Sequence, residues 1–225
     1  MALNIAIDGP AGAGKSTIAK LLSKKLGIVY VDTGAMYRTI ALYLLEKKAD
    51  LEDEASVESM LGDININITH NEDGMHIFLN DRDVTAMIRD EAVGNAASKT
   101  SAYACVRQKL LSLQRDIAAE CDCVMDGRDI GSFILPDAQV KIYLTASVQA
   151  RTQRRYDELK GKGEDPVWDE IMSGISQRDE QDMNRKISPL VQAEDAVYLD
   201  SSDMDIGQVV DRIIEISTQK GALTR

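Results

Sequence analysis

The sequence predicts an α/β fold in which helices cover both faces of a five-stranded parallel sheet, and three observations carry that expectation. Short apolar runs alternate with helix-spaced patterns along most of the 225 residues, the order that builds a parallel sheet with crossover helices. The first strand-to-helix junction is the stretch Gly9 to Thr17, which fits G-x-x-x-x-G-K-[ST]. A single segment, about 63 to 89, breaks the alternation and reads as a small antiparallel insertion.

Leu3 to Asp8 forms the first apolar strand, and Ile18, Ala19, Leu21, Leu22 and Leu26 follow at helical spacing. Between them Gly9, Pro10, Ala11, Gly12, Ala13, Gly14, Lys15, Ser16 and Thr17 make a phosphate-binding loop, and the fold is therefore expected to be of the P-loop NTPase type. Glycines let the backbone wrap an anion, the helix N-terminus favours negative charge, and Lys15 reaches the outer phosphates. Ser16 offers a hydroxyl to Mg²⁺, making it the expected metal ligand.

Gly27 reads as a helix terminator, and Ile28 to Asp32 reads as the second buried strand. Thr33 to Arg38 turns into a helix lined by Ile40, Ala41, Leu44 and Leu45, which puts Thr33 and Arg38 at the ligand-binding edge of the sheet. By itself Arg38 reads equally well as a solvated side chain. In the insertion, Ile64, Ile66 and Ile68 alternate with polar residues, Asn71 to Gly74 supplies a turn, and Met75 to Leu79 returns, with a third strand near Val84.

Glu91 to Ser101 and Ala104 to Ala119 are helical, their polar faces carrying Ser98 and Arg107. Cys123 to Asp126 is a third core strand, and Arg128 and Asp129 crowd the turn after it. Asp126 either holds Mg²⁺, directly or through water, or closes a salt-bridged turn. Val140 to Leu144 is the fourth strand. The helix after it bears Arg151, Arg154 and Arg155, and beyond a loop at 161 to 166 a second polar helix bears Arg178, Asp179, Asp182 and Arg185. Two polar helices about a flexible tip read as a lid. Ala196 to Asp200 and the stripe Ile206, Val209, Val210, Ile213 and Ile214 supply the last strand and helix.

Composition narrows the function. A formal charge of -11 argues against a nucleic-acid polymer as partner, because such binders need a basic surface. The arginines nevertheless gather in the later half, either as solvated helix faces or as a clamp on phosphates. Cys105, Cys121 and Cys123 lack metal-type spacing and read as small buried hydrophobes of a reducing compartment. No run is long and apolar enough to cross a bilayer and no leader is apparent, so a cytoplasmic protein with no membrane partner is expected. A guanine-specific switch would need N-K-x-D and D-x-x-G segments, which do not occur. A kinase for another small acceptor, such as shikimate, is the nearer alternative.

The phosphate loop, Asp32-Thr33-Gly34-Ala35-Met36-Tyr37-Arg38, Asn95-Ala96-Ala97-Ser98, Val106-Arg107, Asp126 to Gly131, and Arg178-Asp179 through Asp182 to Arg185 together resemble the bacterial cytidylate kinases nearly end to end. That resemblance implies ATP as phosphoryl donor with Mg²⁺, CMP or dCMP as acceptor, a monomer, and sheet order 2-3-1-4-5. It implies one kinase unit over 1–225. Its core would be about 1–62, 104–150 and 187–225, its nucleoside monophosphate-binding insertion about 63–103 and its lid about 151–186. By the same resemblance Ser98, Arg107 and Asp129 would read cytosine, Arg178 and Asp182 would hold the ribose, and Arg38, Arg128 and Arg185 the acceptor phosphate. Arg154, Arg155 and Lys15 would neutralise the transferring group. Thr33 stands where the family commonly has serine and keeps the hydroxyl.

Overall fold

The computed structural model describes residues 2–71 and 74–223. In chain order the elements are β1 (Asn4–Asp8), α1 (Lys15–Leu26), β2 (Val29–Asp32), α2 (Thr33–Glu46), α3 (Glu54–Met60), β3 (Ile66–Asn71), β4 (Gly74–Leu79), β5 (Arg82–Asp83), α4 (Glu91–Thr100), α5 (Ala104–Glu120), β6 (Cys123–Gly127), β7 (Val140–Thr145), α6 (Val148–Gly161), α7 (Trp168–Asn184), β8 (Val197–Asp200) and α8 (Ile206–Gln219). They make two compact units, Met1–Tyr30 with Cys121–Arg225, and Val31–Glu120, and the chain leaves the first for the second within β2.

The five-stranded parallel sheet has the order β2-β6-β1-β7-β8. With the insertion strands set aside this is 2-3-1-4-5, as expected. β1 lies at the centre because both of its faces are apolar: Ile5, Ala6 and Ile7 are fully buried, as a strand covered on two sides requires. It pairs with β6 from Asn4–Cys123 to Asp8–Gly127 and with β7 from Ile5–Val140 to Asp8–Tyr143. α1 and α8 press Ile18, Leu22, Val209, Val210 and Ile213 onto Ile7, Val124, Ile142 and Leu144. Because the strands are parallel, the loops after β1, β6 and β7 leave from one edge of the sheet. None of the described helices is long and apolar enough to cross a membrane.

In the second unit α2 buries Met36, Ile40 and Leu44 completely and packs on α4, α5 and β4. It begins at Thr33, with no preceding turn, because the Asp32 carboxylate caps it by accepting from the Ala35 N–H at 2.9 Å. β3, β4 and β5 form the antiparallel sheet, in register from Ile66–Leu79 to Asn71–Gly74. The expected turn between β3 and β4 falls partly on residues 72 and 73, outside the described residues. β5 is only Arg82–Asp83, just before the Val84 expected to mark it. α3 was not anticipated: it is a short helix that buries only Val57 and is started by the Asp53 cap, so there is no apolar period to read.

Candidate active site

The loop after β1 has the shape its sequence demands. Gly9 sits at φ 149, and a Cβ there would lie 1.9 Å from the Leu144 carbonyl oxygen, so no other residue fits. Lys15 donates its ammonium to the Pro10 carbonyl at 2.7 Å, which folds the side chain back over the loop. No side chain caps the start of α1, so its first N–H groups face the loop concavity as an anion site. Burial, reinforced by the positive charges of Arg128 and Arg178, pushes the Lys15 ammonium well below its ordinary range, while Asp126 and Asp182 pull it up. An anionic ligand would relieve that strain.

Ser16, on the first turn of α1, donates to Asp126 Oδ2 at 2.9 Å, and the Tyr30 hydroxyl donates to Asp126 Oδ1 at 3.0 Å. β6 delivers Asp126 to this point, 4% exposed. A hydroxyl and a carboxylate oxygen side by side next to a phosphate loop suit a hard cation whose remaining ligands are water and phosphate. Among the described residues no group of three or more His, Cys, Asp and Glu side chains could hold a metal by itself.

The turn after β6 gathers the next charges. Arg128 Nε donates to Asp182 Oδ2 of α7 at 2.7 Å. Arg185, which follows the end of α7, reaches Asp129 Oδ1 at 3.3 Å and also donates to the Ser188 carbonyl. Asp129 is 3% exposed. Burial alone would raise the Asp182 carboxyl, but Arg128, Arg178 and Arg185 outweigh it and hold Asp182 below the usual carboxylate range. Arg128, Asp129, Arg178, Asp182 and Arg185 thus act as one electrostatic group, reaching Lys15.

The lid arginines divide. Arg151 shares one helix with Arg154 and Arg155, but it is buried and each of its nitrogens meets a protein acceptor. Nε donates to Ala146 O and Nη1 to Ala11 O, both at 2.9 Å, and Nη2 pairs with Asp179 Oδ2 at 2.7 Å. It ties α6 and α7 to the phosphate loop. Arg154 lies along that loop, with Nη1 3.4 Å from Ala13 O and Nη2 donating to Ser201 O at 2.6 Å. Arg155 is half exposed and pairs with Glu158 at 2.9 Å.

In the second unit Thr33 opens α2 and is buried. Arg38 donates to the Ile88 carbonyl at 3.2 Å, and a Cβ at Gly94 would stand 2.8 Å from its guanidinium, so α4 is cut away to admit it. Arg107 is 5% exposed, donates to Ser101 O at 3.2 Å and stacks over the Tyr37 ring at 5.6 Å. Ser98 is half-buried on α4.

Asp8 escaped the sequence reading. It ends β1, is 5% exposed, and accepts from the Ile130 and Gly131 N–H groups, each at 2.7 Å. The only signal was an acidic residue closing the apolar run Ile5-Ala6-Ile7. Of the cysteines only Cys123 is buried, its thiol pushed up to about 12 by burial; Cys105 and Cys121 are partly exposed, a correction to the expectation for all three.

The family model described as cytidylate kinase matches residues 5–219. The cytidylate kinase of Carboxydothermus hydrogenoformans is 46% identical over 218 residues, covering 97% of this chain and 98% of that one. That of Bacillus subtilis is 42% identical, covering 97% of each. Among solved structures, an uncharacterized protein from Eubacterium ventriosum aligns with a TM-score of 0.51 at 14% identity, covering 95% of this chain and 97% of that one, a likeness of fold.

Proposed function

The chain belongs to the cytidylate kinase family, and from that premise we propose that it transfers the γ-phosphoryl group of ATP to CMP or dCMP, giving ADP and CDP or dCDP. The observation that carries the mechanism is the run of paired charges Lys15, Asp126, Arg128, Asp182, Arg185 and Asp129 around the phosphate loop. Phosphoryl transfer needs positioning and charge neutralisation more than a covalent catalyst, and no activated nucleophile is required of this set.

In this reading residues 9 to 17 cradle the donor phosphates and Lys15 follows the charge onto the transferring group. Ser16 would hold Mg²⁺ with Asp126 behind it, and the ion when bound would supply further neutralisation of phosphate charge. Arg154 and Arg155 approach the same group from the lid, for which we take 151–186, and its closure excludes water and wasteful hydrolysis. Arg38, Arg128 and Arg185 hold the acceptor phosphate, while Thr33 donates to the acceptor nucleotide. Arg178 and Asp182 take the ribose hydroxyls. Asp129 accepts from the exocyclic amino group of cytosine, with Ser98 and Arg107 reading the rest of the base. A carboxylate facing the uracil carbonyl would set two acceptors together, which is the basis of discrimination. We take 63–103 as the monophosphate-binding insertion and the rest as the core. The working form is a cytoplasmic monomer, in the compartment that holds both nucleotides.

The test is ADP release from ATP with CMP, dCMP, UMP, AMP and shikimate in parallel. Turnover with CMP and dCMP far above the others is expected. Preference for a different acceptor, or equal ATP loss with none, overturns the assignment.

A further inference from the structure

We propose that Asp8 is a positioning residue that fixes the turn carrying Arg128 and Asp129 against the root of the phosphate loop, and through that turn sets the preference for cytosine over uracil. The selectivity part rests on the assignment of Asp129 to the base edge.

Asp8 immediately precedes Gly9, so whatever it grips is referenced to the phosphate loop. It grips both N–H groups on the far side of Asp129: Oδ1 accepts from Ile130 and Oδ2 from Gly131, each at 2.7 Å. On the near side, Gly127 is locked in parallel register opposite Asp8 itself. Asp129 lies between these two attachments at φ -147, ψ 28, where no regular helix or strand holds it. Its place is set by the clamp on either side together with its own carbonyl, which accepts from the Phe133 and Ile134 N–H groups at 3.0 and 3.1 Å, and the clamp is the part that refers it to the phosphate loop.

The clamp needs a carboxylate. Two donors must be met at once, and only an ionised carboxyl presents two acceptor oxygens; an amide would turn an N–H toward one of them. A neutral residue would also have been easier to bury, since burial, with the nearby Asp129 charge, raises the Asp8 carboxyl to about 6 against the pull of the two backbone donors and Lys15. The turn is shaped to fit as well. A Cβ on Gly131 would lie 3.1 Å from Lys141 Cδ and 3.2 Å from its Cγ, with Asp8 Oδ2 at an ordinary contact distance of 3.4 Å, so a methyl there would crowd Lys141 and press on the turn beside the point where the carboxylate closes.

The experiment compares Asp8→Asn, Gly131→Ala, Asp129→Ala and the double variant Asp8→Asn/Asp129→Ala. Each is assayed for kcat/KM with CMP and UMP, and for ATP affinity by direct titration, with circular dichroism and thermal melting to establish folding. Asp8→Asn is expected to lower the CMP-to-UMP ratio about tenfold or more while ATP affinity changes less than about threefold. Its effect on the ratio should largely vanish in the Asp129→Ala background, because residues acting as one unit are not additive. Gly131→Ala should shift the ratio in the same direction, and it decides the matter if Asp8→Asn does not fold. A ratio lowered by Asp129→Ala but untouched by Asp8→Asn and Gly131→Ala overturns the inference alone. A ratio untouched by Asp129→Ala overturns the base assignment, and the selectivity claim for Asp8 with it.

Discussion

Ser16 and Asp126, 110 residues apart in sequence, are joined by a hydroxyl-to-carboxylate hydrogen bond of 2.9 Å. The contact brings the first turn of α1 to the end of β6 and leaves two hard oxygens together beside Lys15. Asp126→Asn keeps the volume and an acceptor but removes the charge. The half-saturating Mg²⁺ concentration should rise about tenfold or more, as for loss of a partner that orients a metal ligand, with KM for CMP nearly unchanged. Initial rates across a Mg²⁺ titration check this, and an unaltered Mg²⁺ dependence would remove Asp126 from the metal site.

Lys15 is buried with its ammonium destabilised by desolvation and by Arg128. In its proposed role its charge is needed most as the phosphoryl group moves, so Lys15→Met should lower kcat by about 10²- to 10³-fold, on the order of 3–4 kcal/mol. The ligand-free variant should melt no lower than the parent, because a lowered folded-state pKa means that the buried cation opposes folding at neutral pH. A folded Lys15→Met protein with near-normal kcat would contradict the role.

Asp129 pairs with Arg185 at 3.3 Å, both nearly out of water. Asp129→Ala is expected to cost about 1–3 kcal/mol in kcat/KM with CMP and much less with UMP. It also leaves Arg185 short of an acceptor, so the melting temperature should fall. Equal losses with the two nucleotides would leave Asp129 a structural role only.

Asp8 makes stability depend on pH in a stated direction. Its carboxyl rises from 3.8 to about 6 on folding, so between those values the folded state binds the proton more tightly. The stabilisation it gives is present below about pH 4 and is lost as pH climbs through about 6, a difference of about 3 kcal/mol. Asp182, held below its usual range, works oppositely: its contribution is present above the unfolded value and is lost as pH falls through the folded one. Urea unfolding of the parent and Asp8→Asn at pH 4.5 and 7 separates the two, since Asp182 is common to both proteins. The variant should gain relative to the parent at the higher pH, and a constant difference would refute the shift.

Local chemistry made much of this legible. Gly9 to Ser16 declares its geometry because backbone shape and ligand chemistry both reside in consecutive residues, and the buried strands announce themselves by their apolar runs. The sequence could not show which arginine faces what. Arg151, Arg154 and Arg155 lie within five positions on one helix, yet one is sealed into the protein by Asp179 and the Ala11 carbonyl, one lies along the phosphate loop, and one pairs with Glu158. Those partners come from elements distant in the chain or from backbone carbonyls, neither of which a periodic pattern records. Asp8 was hidden for the same reason, since its partners are two amides more than 120 residues away.

That division of the lid arginines yields the last prediction. Arg154 is held near the loop by Ser201 and lies 3.4 Å from the Ala13 carbonyl, so its guanidinium already lies along the loop that the proposed function gives to the donor phosphates. Arg155 must leave Glu158, a surface pair worth only about 0–1 kcal/mol, before it can take part. Arg154→Ala should therefore lower kcat more than Arg155→Ala, by about 10²-fold against about tenfold, with KM for CMP changing less than threefold in each. Glu158→Gln should leave kcat intact or slightly raised, since it releases Arg155. Arg151→Ala should differ in kind, because it leaves Asp179 buried without its cation and should lower the melting temperature along with activity. Steady-state kinetics and thermal melts on the four variants decide between them, and a defect in CMP binding alone for Arg154→Ala would move the lid's role from catalysis to capture.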